Sequence, residues 1–360
     1  MSPKIKFDNF HVSAYKALNK NTASKITIVD VAAEAGVSSG TVSRVINNDV
    51  HVKPETRLRV MEAMQQLRFV ANRQARSLAG GKSNTIGLLV PDLGTSYIGE
   101  IIRGIDSELS LTGLDLILYT THRTASKEAG YVANLAKGMV DGLLLVLPRN
   151  PTDYINTLTQ HNFPFVLIDH QGFGQDCPSV GAANWQGSFT ATEYLIKLGH
   201  QRIGFITGWM DLGCALDRLD GFRSALRTHH IPEAPDLIYE GTFFQPDGFT
   251  GASALLDLSN PPTAIFASND VMAMGVMDAV RNRGLRVPED FSVIGFDDIP
   301  QASLIRPALT TIRQPLEKMG RVATQMLLEL LSQPQKRTAR IELPTELIVR
   351  DSCQAPRTSK

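Results

Sequence analysis

The hydrophobic positions between residues 25 and 70 repeat with the period of an α-helix and predict three short helices. Their apolar faces are Ile28, Val31, Ala32 and Ala35; Val42, Val45 and Ile46; and Val60, Ala63, Met64 and Leu67. Gly36 separates the first two segments, and Pro54 opens the third at the first helical position, where its missing N–H costs nothing. Residues 1–24 are polar and show no periodicity, so we predict a flexible leader there.

From Asn84 onward, short apolar runs alternate with helical stretches. The runs lie at 85–90, 115–119, 142–147, 165–168, 202–206, 264–266 and 292–296. Near-continuous apolar strands separated by helices are typical of parallel sheets that helices cover on both faces. This part of the chain is too long for one sheet of ordinary size. We therefore predict an α/β core of two doubly wound parallel-sheet subdomains that divide near residues 182–186.

The composition is that of a globular protein and excludes several other classes. Hydrophobic residues make up 43% and charged residues 20% of 360 residues. No apolar run is long enough to span a bilayer, and the first residues lack the apolar stretch of a secretory signal. The three cysteines form no CxxC pair, which argues against a disulfide framework and a zinc site. We expect a cytoplasmic protein with no cofactor and no membrane partner.

The distribution of charge differs between the two ends of the chain. The net charge is zero, but residues 25–82 carry nine basic and five acidic side chains, whereas residues 83–360 carry 23 basic and 30 acidic ones. A basic head on an acidic body suggests that one end binds a polyanion. By itself, an excess of this size is also common in proteins that bind no nucleic acid.

Residues 28–47, IVDVAAEAGVSSGTVSRVIN, have the layout of a helix-turn-helix. The outward face of the second helix shows Ser39, Gly40, Ser43, Arg44 and Asn47. A major groove admits one α-helix, and an arginine such as Arg44 can bind guanine O6 and N7 bidentately. Hydroxyls suited to phosphate contacts belong to Thr27, Ser38, Thr41 and Ser43. The pattern alone also fits an αα-hairpin whose role is only packing.

The residues themselves decide between these two interpretations. The stretch ITIVDVAAEAGVSSGTVSRVIN, the helix over 54–67 and ANRQARSLAG strongly resemble the lactose-repressor/galactose-repressor (LacI/GalR) family of bacterial transcription regulators. The likeness continues through IGLLVPDL, LGHQRIGFITG, DRLDGFRSAL, PTAIFASNDVMAMG, FSVIGFDD and LTTIRQPL. It implies a helix-turn-helix domain over 25–71, a hinge helix and linker over 72–83, a periplasmic-binding-protein-like core over 84–350, and a tail over 351–360.

The resemblance implies a regulator that binds near-palindromic double-stranded operator DNA as a homodimer. The segment 72–79 is then a hinge helix that forms only on DNA. Within it, Asn72 belongs to the predicted DNA contacts, Leu78 matches the leucine that wedges into the minor groove, and Ala75 matches its packing partner. The tail DSCQAPRTSK lacks the leucine heptads of tetrameric members, so we predict a dimer. Gly40 has no side chain with which to read a base, which leaves the operator sequence open.

Ligands of open parallel sheets lie beyond the carboxyl ends of the strands. Polar residues at such ends are Asp92, Asp169, Asn269, Asp270 and Asp297. By resemblance, the effector contacts are Asp169, Arg218, Asn269 and Asp297, with Phe243 packing on the ligand and Tyr97 in a lining loop. Carboxylates, amides and one arginine suit a sugar or sugar derivative that releases the repressor. A nucleobase or other metabolite acting as corepressor is the alternative.

Three other residues could belong to the site or to the scaffold, and two other classes of protein must be weighed. Trp209 fits the cleft and the core equally well, Asp92 fits a loop cap, and Asp298 fits a structural role. The chain contains no complete GxGxxG, P-loop or GxSxG motif, which argues against a Rossmann-type enzyme. A solute-binding protein would have no use for residues 25–80.

Overall fold

The computed structural model describes residues 26–46, 49–69, 82–149, 151–170, 177–333 and 340–357. The chain forms two compact units that divide between Gly81 and Lys82. The predicted leader, Asn47 and the three hinge-region residues Asn72, Ala75 and Leu78 lie outside the described residues.

The N-terminal unit contains the three predicted helices. They are α1 Ile28–Ala35, α2 Ser39–Ile46 and α3 Pro54–Gln66. Their common core consists of Val31, Ala32, Ala35, Val42, Val45, Val60 and Ala63, all of which come from the predicted apolar faces. The outer members of those faces, Ile28, Ile46, Met64 and Leu67, are half-buried at its edge. Small side chains at the centre let three short helices approach closely enough to share one core.

Local hydrogen bonds and a left-handed glycine define where α1 begins and ends and where α2 begins. The Asp30 carboxylate accepts hydrogen bonds from the N–H and the hydroxyl of Thr27, each at 2.7 Å, and so caps α1. Gly36 ends α1 in the left-handed conformation, with φ of 61°. Ser38 then opens α2, because its hydroxyl accepts a hydrogen bond from the Thr41 N–H at 3.2 Å.

The second unit alternates strands and helices along its length. Its strands are β1 Thr85–Val90, β2 Asp115–Thr120, β3 Gly142–Val146, β4 Phe165–Ile168, β5 Ser179–Ala182, β6 Ile203–Ile206, β7 Ile238–Tyr239, β8 Ala264–Ala267, β9 Ser292–Asp297, β10 Thr310–Arg313, β11 Arg340–Leu343 and β12 Glu346–Ile348. Its α-helices are α4 Ser96–Leu109, α5 Ala125–Ala136, α6 Thr152–Gln160, α7 Asn184–Lys197, α8 Gly213–Thr228, α9 Gln245–Leu256, α10 Asp270–Asn282, α11 Pro300–Leu304 and α12 Leu316–Ser332.

The strands form two sheets of six, which confirms the predicted pair of parallel-sheet subdomains. The strand orders are β11-β5-β4-β3-β1-β2 and β12-β10-β9-β8-β6-β7, so the two halves repeat one topology. Adjacent strands are parallel except β12, which runs antiparallel to β10. All seven predicted strands are present with bounds within one residue of those expected, because buried strands carry continuous apolar runs.

The expected single division near 182–186 is incomplete. The chain does leave the first sheet there, between β5 and α7. It later returns, since α12 packs against α4 and the first sheet, and β11 joins that sheet before β12 joins the second. Sequence reasoning missed β5, β7, β10, β11 and β12. These strands are short and are mostly polar or at sheet edges, so they lack the continuous apolar run by which a buried strand is predicted.

The core also extends beyond both expected boundaries. Ser83 is buried and donates hydrogen bonds from its N–H and hydroxyl to Asp141 Oδ1, at 2.7 and 2.9 Å. At the other end, Ser352 is fully buried, and its hydroxyl donates to the Val293 carbonyl at 2.6 Å. The Ser352 carbonyl accepts in turn from the Val293 N–H at 2.9 Å. Residues assigned to the linker and the tail are therefore part of the folded core.

The close approach of α4 and α12 depends on one glycine from each helix. A Cβ at Gly104 would overlap the carbonyl oxygen of Glu317, and a Cβ at Gly320 would overlap that of Ile101. Backbone therefore packs against backbone at this crossing. Only glycine permits such contact without moving one helix away from the other.

We expect Gly104→Ala to destabilise the core by about 1–3 kcal/mol, because the added methyl must push α4 away from α12. Gly99→Ala in the same helix is the matched control, since a Cβ there meets nothing within 4 Å. That substitution should be neutral or stabilise by up to about 1 kcal/mol through helix propensity. Denaturant unfolding of both variants measures the difference. Equal unfolding midpoints would show that the crossing tolerates a side chain.

Candidate functional site

A cavity of about 60 Å³ lies between the two sheets, at the carboxyl ends of their strands. Its walls come from the segments that follow β1, β2, β3 and β4 on one side and β6, β7, β8 and β9 on the other. All six residues predicted for effector binding line it: Tyr97, Asp169, Arg218, Phe243, Asn269 and Asp297. The topology brings them together because parallel strands end at one edge of each sheet.

Arg218 is the centre of a buried polar network. Its side chain is about 97% buried. Its Nε donates a hydrogen bond to Asn184 Oδ1 at 2.8 Å, and one terminal nitrogen donates to the Ser268 carbonyl at 2.5 Å. The same nitrogen lies 3.7 Å from Asp297 Oδ1, and the guanidinium carbon lies 3.9 Å from the centre of the Phe296 ring. These contacts hold one cation in a fixed orientation at the wall of the cavity.

Asp169 is held from two directions. The Tyr97 hydroxyl donates to its Oδ2 at 2.7 Å, and Asn184 Nδ2 donates to its Oδ1 at 3.3 Å. Sequence reasoning missed Asn184, which links Asp169 to Arg218. Burial and the nearby Asp169 carboxylate raise the pKa of Tyr97 well above its usual value, so Tyr97 stays protonated as the donor.

Asp297 faces the same cavity with a perturbed ionisation. Gln314 Nε2 donates to its Oδ1 at 2.7 Å. Burial raises the pKa of the Asp297 carboxyl to about 7, and the opposing effect of Arg218 only partly compensates. Its neighbour Asp270 has a structural role, since its carboxylate accepts hydrogen bonds from the Ile299 N–H and the Thr311 hydroxyl at 2.9 and 2.5 Å.

Asn269 and Phe243 are positioned by each other. Asn269 caps α10, because its Oδ1 accepts from the Met272 N–H at 2.9 Å. Its Nδ2 donates to the Phe243 carbonyl at 3.1 Å. The Phe243 ring lies directly on Gly208, where any Cβ would overlap the ring. The aromatic surface of the cavity therefore has a fixed place.

Five of the lining residues have left-handed backbone conformations. The φ angles are 56° at Arg123, 46° at Leu147, 55° at Asp169, 67° at Phe243 and 119° at Asp297. Such conformations cost free energy for residues other than glycine, and in proteins they concentrate at functional sites. The concentration of backbone strain in its lining therefore indicates that the cavity is the functional site of the core.

The structure adds charged and aromatic residues that sequence reasoning missed or left open. Arg123 and Arg149 line the cavity from the segments after β2 and β3. Trp209 proves to be a cleft residue, with both guanidinium groups within 5 Å of its ring centre. The signal was available in their positions, because each lies three residues beyond the end of a strand, close to the strand-end positions from which Asp169 and Asn269 were predicted.

Asp92 and Asp298 have the roles that were expected from the sequence, a loop cap and a structural residue. Asp92 accepts a hydrogen bond from the Gly94 N–H at 2.7 Å, as a loop cap does, and also pairs with Arg123. Asp298 forms ion pairs with Arg313 and Arg350 at 2.7 and 2.6 Å. These pairs confirm its structural role.

The N-terminal unit presents a second candidate site on α2. Ser39, Gly40 and Arg44 are exposed there, and Thr41 and Ser43 are half-buried. The hydroxyls of Ser38 and Thr41 hydrogen-bond each other at 3.0 Å at the start of this helix, while the Thr27 hydroxyl is engaged by Asp30. An exposed helix N-terminus with hydroxyls and an arginine is chemically suited to a nucleic acid.

Comparison with known proteins identifies both parts of the chain. The family model "Bacterial regulatory proteins, lacI family" matches residues 27–72, and "Periplasmic binding protein-like domain" matches residues 192–353. The chain is 37% identical to the probable HTH-type transcriptional repressor ExuR of Bacillus subtilis over 91% of this chain and 98% of that one. It is also 37% identical to the HTH-type transcriptional repressor PurR of Edwardsiella ictaluri over 91% and 96%.

Solved structures show the same architecture. The lac repressor dimer bound to operator and the anti-inducer ONPF superposes with a TM-score of 0.78 at 32% identity, covering 92% of this chain and 100% of that one. The complex of the transcriptional regulator CelR with cellobiose has a TM-score of 0.71 at 32% identity, with 91% and 99% covered.

The helix-turn-helix and the two-sheet core with its cleft define a ligand-responsive class of DNA-binding transcriptional repressors. Within this class, the chain belongs to the LacI family. The family resemblance and the fold expected from sequence are both confirmed. Across the described ranges, no helix combines the length and the apolar character that a membrane span requires.

We expect the Asp297 carboxyl to contribute to the core a stability that falls as the pH rises from about 4 to 7. The folded state holds a proton on Asp297 up to about pH 7, whereas the unfolded chain releases it near 3.8. One such group contributes a slope of up to about 1.4 kcal/mol per pH unit. Thermal unfolding of Asp297→Asn across this range should show a shallower slope.

Asp290→Asn is the control for this pH dependence. Hydrogen bonds from Arg286 lower the pKa of the Asp290 carboxyl to about 2, so its stabilising effect is lost only on acidification below about pH 4. The wild-type slope between pH 4 and 7 should persist in that variant. An unchanged slope in Asp297→Asn would mean that the Asp297 carboxyl is ionised throughout the range.

Proposed function

We propose that this repressor binds a near-palindromic operator as a homodimer and leaves it when a sugar or sugar derivative occupies the cleft. The observation that carries the proposal is the convergence of six polar and aromatic side chains on one cavity between the two sheets. We infer a regulator and not an enzyme, acting in the cytoplasm. The particular residues of both sites belong to this proposal.

The chemistry of the cavity suits a polyhydroxylated ligand. Sugar hydroxyls both donate and accept hydrogen bonds, and the cavity offers acceptors on Asp169 and Asp297 and donors on Arg218. The ring of Phe243 provides an apolar surface for the C–H face of a sugar ring. Related structures were solved with cellobiose and, for a LacI family regulator from Enterococcus faecium, with bound ribose.

The surface of α2 suits a major groove. Within the described part of the chain, the guanidinium of Arg44 makes a single hydrogen bond, to the Gly40 carbonyl at 3.5 Å. So long a bond is weak, and Arg44 can exchange it for a base edge at little cost. Thr27, Ser38, Ser39, Thr41 and Ser43 are proposed to bind phosphates or bases nearby.

The switch requires that the ligand favour one state of the core over the other. We propose that closure of the cleft around a sugar rotates the N-terminal halves of the two subunits and separates their hinge segments. If the sugar binds the closed core more tightly than the open one, its binding favours the closed state. The affinity of the repressor for operator then falls. Coupling free energies of this kind are typically about 1–3 kcal/mol.

Arg44→Ala should weaken binding to the cognate operator by about 1–3 kcal/mol while affecting scrambled DNA less, because a base contact carries sequence information. Arg103→Ala on α4 removes the same charge from an exposed position on the core and serves as the control. Fluorescence anisotropy at fixed salt measures both. An equal loss of affinity for cognate and scrambled DNA would show that Arg44 contacts a phosphate and not a base.

Operator release tests the effector site. A sugar identified by thermal-shift screening should lower the operator affinity of the wild type. Phe243→Ala and Asp297→Asn should bind operator normally but need about 10-fold more sugar, because they lose ligand contacts. Arg218→Lys is preferable to Arg218→Ala, since it keeps a cation beside the buried Asp297 and so preserves the fold.

Two results would contradict this scheme. Release of both variants at the wild-type sugar concentration would remove Phe243 and Asp297 from the site. A wild type whose operator affinity rises with ligand would reverse the sign and make the effector a corepressor. Operator binding without ligand, measured for every variant, shows that each one is folded.

A further inference from the structure

Five side chains from both halves of the core meet at the rim of the cleft. Arg123 and Arg149 come from the segments after β2 and β3 in the first half, and Trp209, Asp211 and Phe244 come from those after β6 and β7 in the second. Both arginines and Trp209 line the cavity and are also partly exposed to solvent. The group therefore lies where the cavity meets the surface, and we call these five residues the rim clasp.

An ion pair between Arg149 and Asp211 crosses the cleft. The Arg149 Nε donates a hydrogen bond to Asp211 Oδ2 at 2.7 Å, and the two side chains are 23% and 32% exposed. On the first half, the Arg149 N–H donates to the buried carboxyl of Glu128 at 3.0 Å, which fixes the main chain behind the arginine. Opening the cleft must separate the two charges, because each is attached to a different half.

Arg123 adds contacts between its guanidinium and the aromatic rings of the other half. Its Nε donates to Asp92 Oδ2 at 2.5 Å, within the first half. The guanidinium carbon lies 4.1 Å from the centre of the Phe244 ring and 4.9 Å from that of Trp209. The Arg149 guanidinium carbon lies 4.7 Å from the Trp209 ring centre as well. Cations over aromatic faces attract them, so both arginines hold the indole of the opposite half.

The contacts of the rim clasp are complete among protein groups. Each guanidinium has a carboxylate partner, Asp92 for Arg123 and Asp211 for Arg149. The two aromatic rings also meet each other edge to face, with centres 5.8 Å apart. The clasp therefore needs no bound molecule in order to form.

We propose that the rim clasp draws the two halves of the core together before any effector binds, and so favours the arrangement with low operator affinity. This inference rests on the proposed function, in which closure of the cleft weakens operator binding. The effector then completes a closure that the clasp already favours. It needs a smaller difference in affinity between the two states than it would need without the clasp.

Other contacts between the halves remain when the clasp is broken. Gln301 Nε2 on α11 donates to Ser96 Oγ on α4 at 2.7 Å. Val271 and Met274 of α10 pack against the apolar core of the first half. Loss of the clasp should therefore shift the equilibrium between open and closed cores without unfolding either half.

Operator titration of the full chain without any sugar tests the inference. Arg149→Gln and Asp211→Asn should each bind operator about 3-fold more tightly, because the apparent affinity follows the fraction of open core. The two variants change the net charge in opposite directions. A general effect of charge on DNA binding would therefore move their affinities apart, whereas loss of the clasp moves both the same way. The double variant should bind no more tightly than either single one, since both remove the same ion pair.

An ion pair within one half supplies the matched control. Arg283 and Asp257 pair at 2.8 Å, and both belong to the second half. Arg283→Gln and Asp257→Asn make the same chemical changes without touching the cleft. They should leave operator affinity unchanged, and thermal unfolding of all variants shows that each is folded.

Trp209 provides a second measurement that needs neither DNA nor sugar. The chain has two tryptophans, so Trp185→Phe leaves Trp209 as the single indole fluorophore. In that background, Asp211→Asn should increase the quenching of Trp209 by acrylamide, because the opened rim admits the quencher. Asp257→Asn should not.

Four outcomes would overturn the inference. Operator affinity that stays unchanged in Arg149→Gln and Asp211→Asn would refute it, and so would shifts in opposite directions. Tightening of the same size in the control pair would show that the rim has no special role. Weaker operator binding by both rim variants would place the clasp in the operator-binding arrangement. A wild type that binds no operator would instead refute the proposed function, while quenching of Trp209 would still show whether the clasp closes the rim.

Discussion

The burial of the Arg218 guanidinium is the constraint on which the cleft depends. A cation removed from water must be compensated, and here Asn184, the Ser268 carbonyl and Asp297 do so. Asn184 begins α7 at the first crossing between the sheets. Gln314, which binds Asp297, lies at the second crossing, between β10 and α12. The charge network thus connects both halves of the core to the segments that join them.

Such a network is suited to a two-state core. Its members reach the cavity from both sheets, so opening or closing the cleft must change their distances and solvation. Charged groups in a medium of low dielectric respond strongly to small displacements. A ligand that replaces water among them can therefore favour one arrangement over the other. The left-handed backbone at Asp169, Phe243 and Asp297 keeps the groups in place before the ligand binds.

The packing around the cleft supplies the rigidity that this mechanism requires. Backbone contact at Gly104 and Gly320 holds α4 against α12, and α4 carries Tyr97 to the cavity. Contact between the Phe243 ring and Gly208 fixes the aromatic surface on the other side. In both places a missing side chain allows the close approach. Because these closely packed elements cannot deform, a change at the cavity displaces the rest of the core as well.

The sequence by itself determined the elements and the principal site residues. Helical and apolar periodicities located the three N-terminal helices and seven of the strands, because burial requires an apolar face or run. Residues such as Asp169 and Asp297 could be predicted from their places at strand ends. Only the tertiary structure decided that α12 and β11 return to the first sheet, that Ser352 belongs to the core, and that Arg123 and Arg149 meet at Trp209. These facts depend on contacts between residues far apart in the chain, and local periodicity carries no information about such contacts.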